Sequence, residues 1–367
     1  MLSSKSALLT LTNSQNSPDM RAAYAPYRLV FKSPATTSRD TLTERLTYYI
    51  KVWDEEKPEC FGIGECAIFR GLSAEDWDDY ENIVAQICRS INKGEPYDIS
   101  RLSSVRFGLE TALADLKNGG NRTPFPSAWS SGETPVKING LVWMGSVEQM
   151  IARADEKIAA GFDCIKFKVG GVDFNDEFRM IERVRRQYSP EQLEIRLDAN
   201  GAFSLDNVME RLHRLSLLDI HSIEQPIRQH QREAMAQVCK DSPIPIALDE
   251  ELIGVTSTVE KLRLLKEVRP AYIILKPSLC GGFSEADDWI ACAESNGIGW
   301  WATSALESDI GLNAIAQWTA AKNPSMPQGL GTGALYVNNF TSPLRLNSDR
   351  LSYEATGKWV FPHLQWI

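Results

Sequence analysis

The sequence predicts an α/β protein: a (β/α)7β TIM-like barrel preceded by an N-terminal α+β capping domain. Three observations carry that expectation. Five apolar runs between residues 164 and 276 each end in charge, and the charges Lys166, Asp198, Glu224, Asp249 and Lys276 stand 25 to 32 residues apart, the length of one strand, loop and helix. The rhythm continues on both sides, giving eight strand ends from Asn139 to the stretch around Gly331. The first hundred or so residues instead place strand-like alternation before helices, as α+β domains do.

A chain of 367 residues with 43% hydrophobic and 24% charged residues is long enough for two domains and ordinary for a globular protein. Its net charge of −9 argues against nucleic acid as a main partner, because phosphate binding needs a basic face. The seven cysteines are odd in number, scattered and free of CxxC spacing, so they read as reduced thiols. No apolar run approaches the ~18 residues of a membrane span, and the first residues lack a basic leader. A cytoplasmic protein with no membrane partner is expected.

Taken in order, residues 27–32 and 46–53 alternate as strands do, and 62–66 closes a third. A helix is expected over 74–92. The polar loop 34–40 between two strands is either a plain hairpin connection or, over a barrel mouth, a cover for the substrate. Residues 104–117 read as a helix because Val105, Leu109, Ala112, Leu113 and Leu116 share a face and Gly119-Gly120 stops it. The capping domain thus spans 1–120, the Pro-, Ser- and Gly-rich stretch 121–134 is a linker, and the barrel spans 135–345. The barrel opens with a short strand over 135–140, then a helix entered through Ser146 with Gln149 three residues on, a capping-box pattern, and ended at Gly161. The tail 346–367 is expected to pack back on the capping domain.

Residues two apart on a strand share a face, so Lys166 and Lys168 do, as do Arg196, Asp198 and Asn200. Outer faces of barrel strands lie under helices. Phe167, Ile195 and Leu197 therefore suit the outside, and the polar residues suit the mouth where parallel strands deliver catalytic groups. Asp198, Glu224 and Asp249 come from three adjacent strands; either they hold a cation or the lysines neutralise them in a salt-bridge network. An all-oxygen donor set favours Mg2+, or Mn2+ in its place, over zinc. Glu250 is expected to point the other way. A metal there would bind a substrate carboxylate and stabilise the charge formed when the neighbouring carbon loses its proton. A lysine base must be neutral, and a second ammonium ~5 Å away opposes its charge by roughly 3 kcal/mol at an effective dielectric of about 20. Lys166 beside Lys168 is expected to supply that, with Lys276 facing the base across the mouth.

Together Lys166-Phe-Lys168, Asp198-Ala-Asn200, Glu224-Gln-Pro226, Asp249-Glu250 and Lys276-Pro277 resemble the enolase superfamily in its muconate-lactonising subgroup, and the first hundred residues resemble its capping domain. A lysine base working with Mg2+ is a known property of that superfamily. Three further stretches resemble the dehydratases of the subgroup: Gly64-Glu-Cys-Ala-Ile-Phe-Arg-Gly-Leu-Ser73, Arg106-Phe-Gly-Leu-Glu-Thr-Ala-Leu113 and Thr303-Ser-Ala-Leu-Glu-Ser-Asp-Ile-Gly311. The resemblance implies a metal on Asp198, Glu224 and Asp249. It implies that Lys168, with Lys166 beside it, removes the proton α to a ring carboxylate and then protonates a hydroxyl leaving from the same face. Lys276, kept charged, would stabilise the intermediate electrostatically and by cation–π attraction. Asn200, Arg196, Ser304 and Gly331 would contact a small anionic carboxylate substrate, the last two near a succinyl arm. Arg196 equally suits a structural partner of the carboxylates, and Gly331 a packing glycine.

Racemases of N-succinylamino acids and dipeptide epimerases in the same subgroup share the metal, the lysines and the first proton transfer. The epimerases tend to carry an acidic pair on the last strand for a substrate ammonium; here that strand reads Gly329-Leu-Gly331-Thr-Gly333, with no acid. A Schiff-base aldolase would leave three convergent carboxylates unexplained. A non-catalytic barrel would be marked by a lost lysine or carboxylate, and none is missing. The four histidines show no ligand pattern, and Trp300-Trp301 reads as barrel packing.

Overall fold

The computed structural model describes residues 19–36, 41–332 and 334–367. Residues 37–40 of the polar loop, the first eighteen residues and Gly333 lie outside the described residues.

The chain opens with an antiparallel sheet of β1 (Met20–Thr36), β2 (Thr41–Asp54) and β3 (Phe61–Cys66), in that order. Two helices, α1 (Tyr80–Lys93) and α2 (Ser103–Lys117), share a core with it built from Tyr48, Ile50, Val84, Val105 and Leu109, among others. Helix α2 approaches β3 so closely that a Cβ at Gly62 would stand 1.8 Å from the Ala112 carbonyl oxygen, and one at Gly64 1.9 Å from that of Gly108. Only glycine permits that contact. Helix α1 starts later than expected. The acidic residues near 76, which read as a first helical turn, instead build a loop: Asp76 accepts from the Gly71 N–H at 2.6 Å and from Arg70 at 2.6 Å.

A short strand, β4 (Val136–Lys137), leads into the alternating run β5 (Gly140–Val142), α3 (Val147–Ala159), β6 (Cys164–Lys168), α4 (Phe174–Gln187), β7 (Glu194–Asp198), α5 (Val208–Ser216), β8 (Ser222–Glu224), α6 (Arg232–Asp241), β9 (Ile246–Leu248), α7 (Thr258–Val268), β10 (Tyr272–Leu275), α8 (Gly282–Glu294), β11 (Gly299–Ala302) and α9 (Asp309–Ala320). Strands β5 to β11 are parallel neighbours in sequence order. Residues 328 and 329 close the ring as an eighth strand position. Gln328 bridges Ile138 on one side and Gly329 bridges Thr303 on the other, both in parallel sense. The result is a (β/α)7β barrel with an N-terminal α+β cap.

Ser146 caps α3 in the full reciprocal arrangement with Gln149. The outer faces carry Ile165, Phe167, Ile195, Leu197 and Ile223 into the core beneath the helices. Two boundaries differ from expectation. The stretch 135–140 is not one barrel strand: β4 pairs antiparallel with the tail, and the barrel strand proper begins at Gly140. The tail divides accordingly. Its hairpin β12 (Leu344–Asn347) and β13 (Arg350–Tyr353) adds to β4, whereas Trp359, Phe361 and Trp366 pack around Tyr49 and Ile63 of the cap. Ile367 exchanges backbone hydrogen bonds with Tyr24 at 2.8 and 3.2 Å. All seven cysteines are unpaired. Among the described residues no helix is long and apolar enough to cross a membrane.

Candidate active site

Strand register decides what meets inside the barrel. Lys168, Asp198 and Glu224 are successive partners on β6, β7 and β8, and Lys166, Arg196 and Ser222 form the level below. Two residues past Ala247, the partner of Glu224, the chain reaches Asp249. The three carboxylates are buried, Asp198 completely.

Each carboxylate has a lysine against it. Lys168 donates to Oδ2 of Asp198 and, at 2.8 Å, to Oδ1 of Asn200. Lys166 donates to Glu224 at 2.8 Å and lies 3.5 Å from Asp198. Lys276 pairs with Asp249 and lies 3.9 Å from Oε1 of Glu224. The backbone N–H of Asn200 donates to Oδ1 of Asp198 at 3.0 Å, and Asn200 itself is left-handed, φ 44°.

The electrostatics follow from this crowding. Burial pushes the Asp198 carboxyl up, but Lys168 and Lys166 outweigh it and hold the group well below the usual carboxylate range. Asp249 is also held down, Lys276 overcoming burial. Glu224, between the two, goes the other way: burial and the charge of Asp198 push it well above its ordinary value against the pull of Lys166. Lys276 is raised because Asp249 and Glu224 outweigh the cost of burying its ammonium. For Lys166, burial lowers the value and Glu224 with Asp198 more than restores it; the ammonium acting against it is Lys276. Lys168 is also close: it and Lys166 both reach Oδ2 of Asp198, Lys166 from 3.5 Å and Lys168 by a direct hydrogen bond.

Among the described residues no three acidic, histidine or cysteine groups form a ready-made metal cage. The donor chemistry nevertheless fits a hard cation. Three carboxylates stand side by side, and buried Oε1 of Glu224 has no hydrogen-bond partner. Asp198, Glu224 and Asp249 are the residues that would hold such an ion, with the lysines turned away from them.

Above this layer lies a pocket with a polar floor of Lys166, Lys168, Asn200 and Lys276. Its walls are largely apolar: Leu141 on β5 and Trp143 just after it, Leu279 after β10, Leu306 after β11, and Phe69 and Leu72 from the cap. Asn139, Ser304 and Thr332 supply uncharged polar groups, the two hydroxyls being hydrogen-bonded to each other. No carboxylate is among the described lining residues.

Of the expected substrate contacts, Asn200, Ser304 and Gly331 line the pocket and Arg196 does not. Arg196 shares a level with Lys166, but the two side chains part. Lys166 reaches up to Glu224, while Arg196 reaches down to Glu194 at 2.6 Å and the Pro327 carbonyl at 2.9 Å and stacks 4.3 Å over Trp301. It is a floor residue, partnered by neither substrate pocket nor metal-type carboxylates. A Cβ at Gly331 would meet nothing nearer than 3.5 Å, ordinary contact, so packing does not require glycine there. Glu250 corrects a further expectation. It is buried and accepts from Asn200 Nδ2 at 3.1 Å, so it faces the site and fixes the amide whose oxygen meets Lys168. The 3-10 turn over Glu250–Leu252 breaks the strand alternation that pointed it outward. Nor does the sequence mark Phe69, Leu72, Trp143 and Thr332 as pocket residues. Phe69 and Leu72 lie within the quoted 64–73 stretch, but no periodicity shows which loop residues turn inward.

Residues 149–353 match the family described as Enolase C-terminal domain-like. Over 366 aligned residues the chain is 42% identical to the o-succinylbenzoate synthase of Desulfotalea psychrophila, covering 90% of this chain and 98% of that one. The crystal structure of MenC from the same organism has a TM-score of 0.78 at 41% identity, covering 91% of this chain and 99% of its own. The L-Ala-D/L-Glu epimerase of Bacillus subtilis superposes with a TM-score of 0.79 at 20% identity, over 94% and 98% of the two chains. The dipeptide epimerase of Enterococcus faecalis, solved with Mg and L-Leu-L-Tyr, does so with 0.76 at 20%, over 91% and 97%. These last two likenesses concern the fold alone.

Proposed function

The chain belongs to the enolase superfamily, and from that premise we propose that it is a carbon–oxygen lyase catalysing the o-succinylbenzoate synthase reaction, a step of menaquinone biosynthesis. It dehydrates 2-succinyl-6-hydroxy-2,4-cyclohexadiene-1-carboxylate to 2-succinylbenzoate. What carries the reading is Lys168 opening onto a pocket whose described lining has no carboxylate, in a chain 42% identical to such a synthase over nine-tenths of its length. An anionic substrate with an apolar ring suits those walls. An ammonium-bearing dipeptide would find no acidic partner on them.

Asp198, Glu224 and Asp249 would hold a divalent cation, Mg2+ by preference for an all-carboxylate donor set. Bound there, it would offset the negative charge that builds on the ring carboxylate as the α-carbon gives up its proton. The remaining work belongs to side chains. Lys168, in its neutral form, takes the proton from C1 with Asn200 Oδ1 orienting its amine. The C6–oxygen bond breaks on the same face, the lysine returns the proton to the departing hydroxide, and water leaves an aromatic ring. Lys276, kept protonated by Asp249, presents a fixed positive charge from the end of β10. The apolar cap residues Phe69 and Leu72 exclude water from the ring.

Lys276 also lines the pocket, so a protonated lysine able to return a proton to the carbanion is at hand, and racemisation of N-succinylamino acids is the companion activity to assay. The test compares three substrates on Mg2+-loaded protein: the cyclohexadiene carboxylate, an N-succinylamino acid and L-Ala-L-Glu. Dehydration at the highest kcat/KM is expected; racemisation or epimerisation without dehydration would overturn the reading.

A further inference from the structure

Arg45, on β2, is buried, and its guanidinium joins two loops from different parts of the chain. From the cap, Ala67 O and Ile68 O accept from Nη2 at 2.7 and 3.0 Å. From the barrel, Ala305 O accepts from Nη1 at 2.5 Å, and Leu306 O accepts from the same nitrogen. The ring of Phe69 lies 5.3 Å from the guanidinium carbon. Phe69, Ala305 and Leu306 all line the pocket, and Phe69 packs in one apolar cluster with Leu306, so one side chain ties together the cap and barrel stretches of its wall.

The barrel loop needs such a hold. Leu306 has a φ of 64°, a left-handed conformation that a branched residue adopts only when its surroundings impose it. Its carbonyl also accepts from the Tyr336 hydroxyl at 2.6 Å. Next to it Glu307 accepts from the Ala305 N–H at 2.7 Å, and Glu65 of the cap accepts from the N–H and hydroxyl of Ser308 at 2.9 and 2.6 Å. Among these contacts the planar fork of Arg45 spans cap and barrel carbonyls together, a geometry that an ammonium does not reproduce.

We propose that Arg45 is a positioning residue that sets the separation of the Phe69–Leu72 loop from the Ser304–Leu306 loop, and thereby the fit of the substrate's non-reacting arm. The proposal rests on the synthase reading for its substrate, but its structural content does not.

The test uses Arg45→Met and Arg45→Lys in the full chain, with Val84→Ala in the cap core as a control for lost stability. Two readouts are taken: steady-state kinetics with the cyclohexadiene carboxylate, and amide hydrogen exchange of residues 67–72 and 303–308 without substrate. Arg45→Met is expected to raise KM about tenfold with kcat little changed and to speed exchange in both loops, with Arg45→Lys intermediate. Val84→Ala should lower Tm while leaving KM and exchange in both loops as they are. Wild-type KM and exchange in Arg45→Met, with Tm lowered, would overturn the proposal and leave Arg45 a cement between domains. Should Arg45→Met fail to fold, Arg45→Lys decides by the same two readouts. Should the wild type not turn over this substrate, the synthase reading fails, and exchange alone decides the role of Arg45.

Discussion

Asp198 on β7 and Glu224 on β8 are direct register partners, so two buried carboxylates stand side by side with Oε1 of Glu224 unbonded. Burial pushes both carboxyls up; Lys168 and Lys166 outweigh it at Asp198, whereas at Glu224 the charge of Asp198 adds to it, so the lysines compensate the pair unevenly. Chelator-stripped protein is therefore expected to lose activity and regain it with Mg2+. Glu224→Gln should weaken Mg2+ binding by at least about a hundredfold, as measured by titration calorimetry. Unchanged affinity in that variant would remove Glu224 from the ligand set.

Arg196 has buried contacts with Glu194, Pro327 and Trp301 and none with the pocket. Arg196→Met should cost roughly 1–3 kcal/mol of stability, below the ~3–5 kcal/mol for a fully buried ion pair because Glu194 keeps some solvent. KM should stay within about twofold of wild type. Denaturant melts and kinetics on the same preparation check both; a KM change without a stability change would return Arg196 to the substrate.

Gly331 faces the pocket with room for a methyl group. Gly331→Ala is expected to keep Tm within about 2 °C while raising KM several-fold, because the added carbon takes space from the substrate rather than from the fold. A large drop in Tm would show that glycine serves packing after all.

Burial pushes the Glu65 carboxyl from 4.5 to about 7, with Arg45 and Ser308 opposing it, and Asp309 is pushed from 3.8 to about 6 by burial as well. A carboxyl whose folded pKa is raised binds its proton more tightly when folded. Its stabilisation is complete below the unfolded value and is lost as pH rises through the folded one. For Glu65 that window runs from about 4.5 to about 7, with at most of order 3 kcal/mol at stake. Glu65→Gln should flatten the fall of Tm with pH across it, read as the wild-type minus variant difference at each pH. An equal slope in both proteins would mean that Glu65 is ionised throughout.

The barrel and its charged strand ends were legible because parallel strands impose period two along each strand and one unit of strand and helix between them; Lys166, Lys168, Asp198, Glu224, Asp249 and Lys276 all follow from that register. Where backbone geometry leaves the strand, the pattern fails. Glu250 turns inward on a 3-10 turn, and Phe69 and Leu72 project from an irregular loop held by Asp76. Alternation also fixes which face a side chain leaves from but not whether it bends up or down, which separates Arg196 from Lys166 at one level of the barrel. The 135–140 stretch misled for a related reason: alternation there serves a tail strand that no local signal announces.

Lys168, above the carboxylate layer of Asp198, Glu224 and Asp249 that would hold the metal, is proposed to carry the proton in the dehydration. The direct measurement is single-turnover conversion of 2-succinyl-6-hydroxy-2,4-cyclohexadiene-1-carboxylate, followed by ultraviolet absorbance, with stripped protein reloaded with Mg2+ in wild-type and Lys168→Ala forms. Metal-dependent aromatisation that falls by at least about a thousandfold in Lys168→Ala is the expected result. Turnover that survives the substitution with Mg2+ bound would show that Lys168 is not the base.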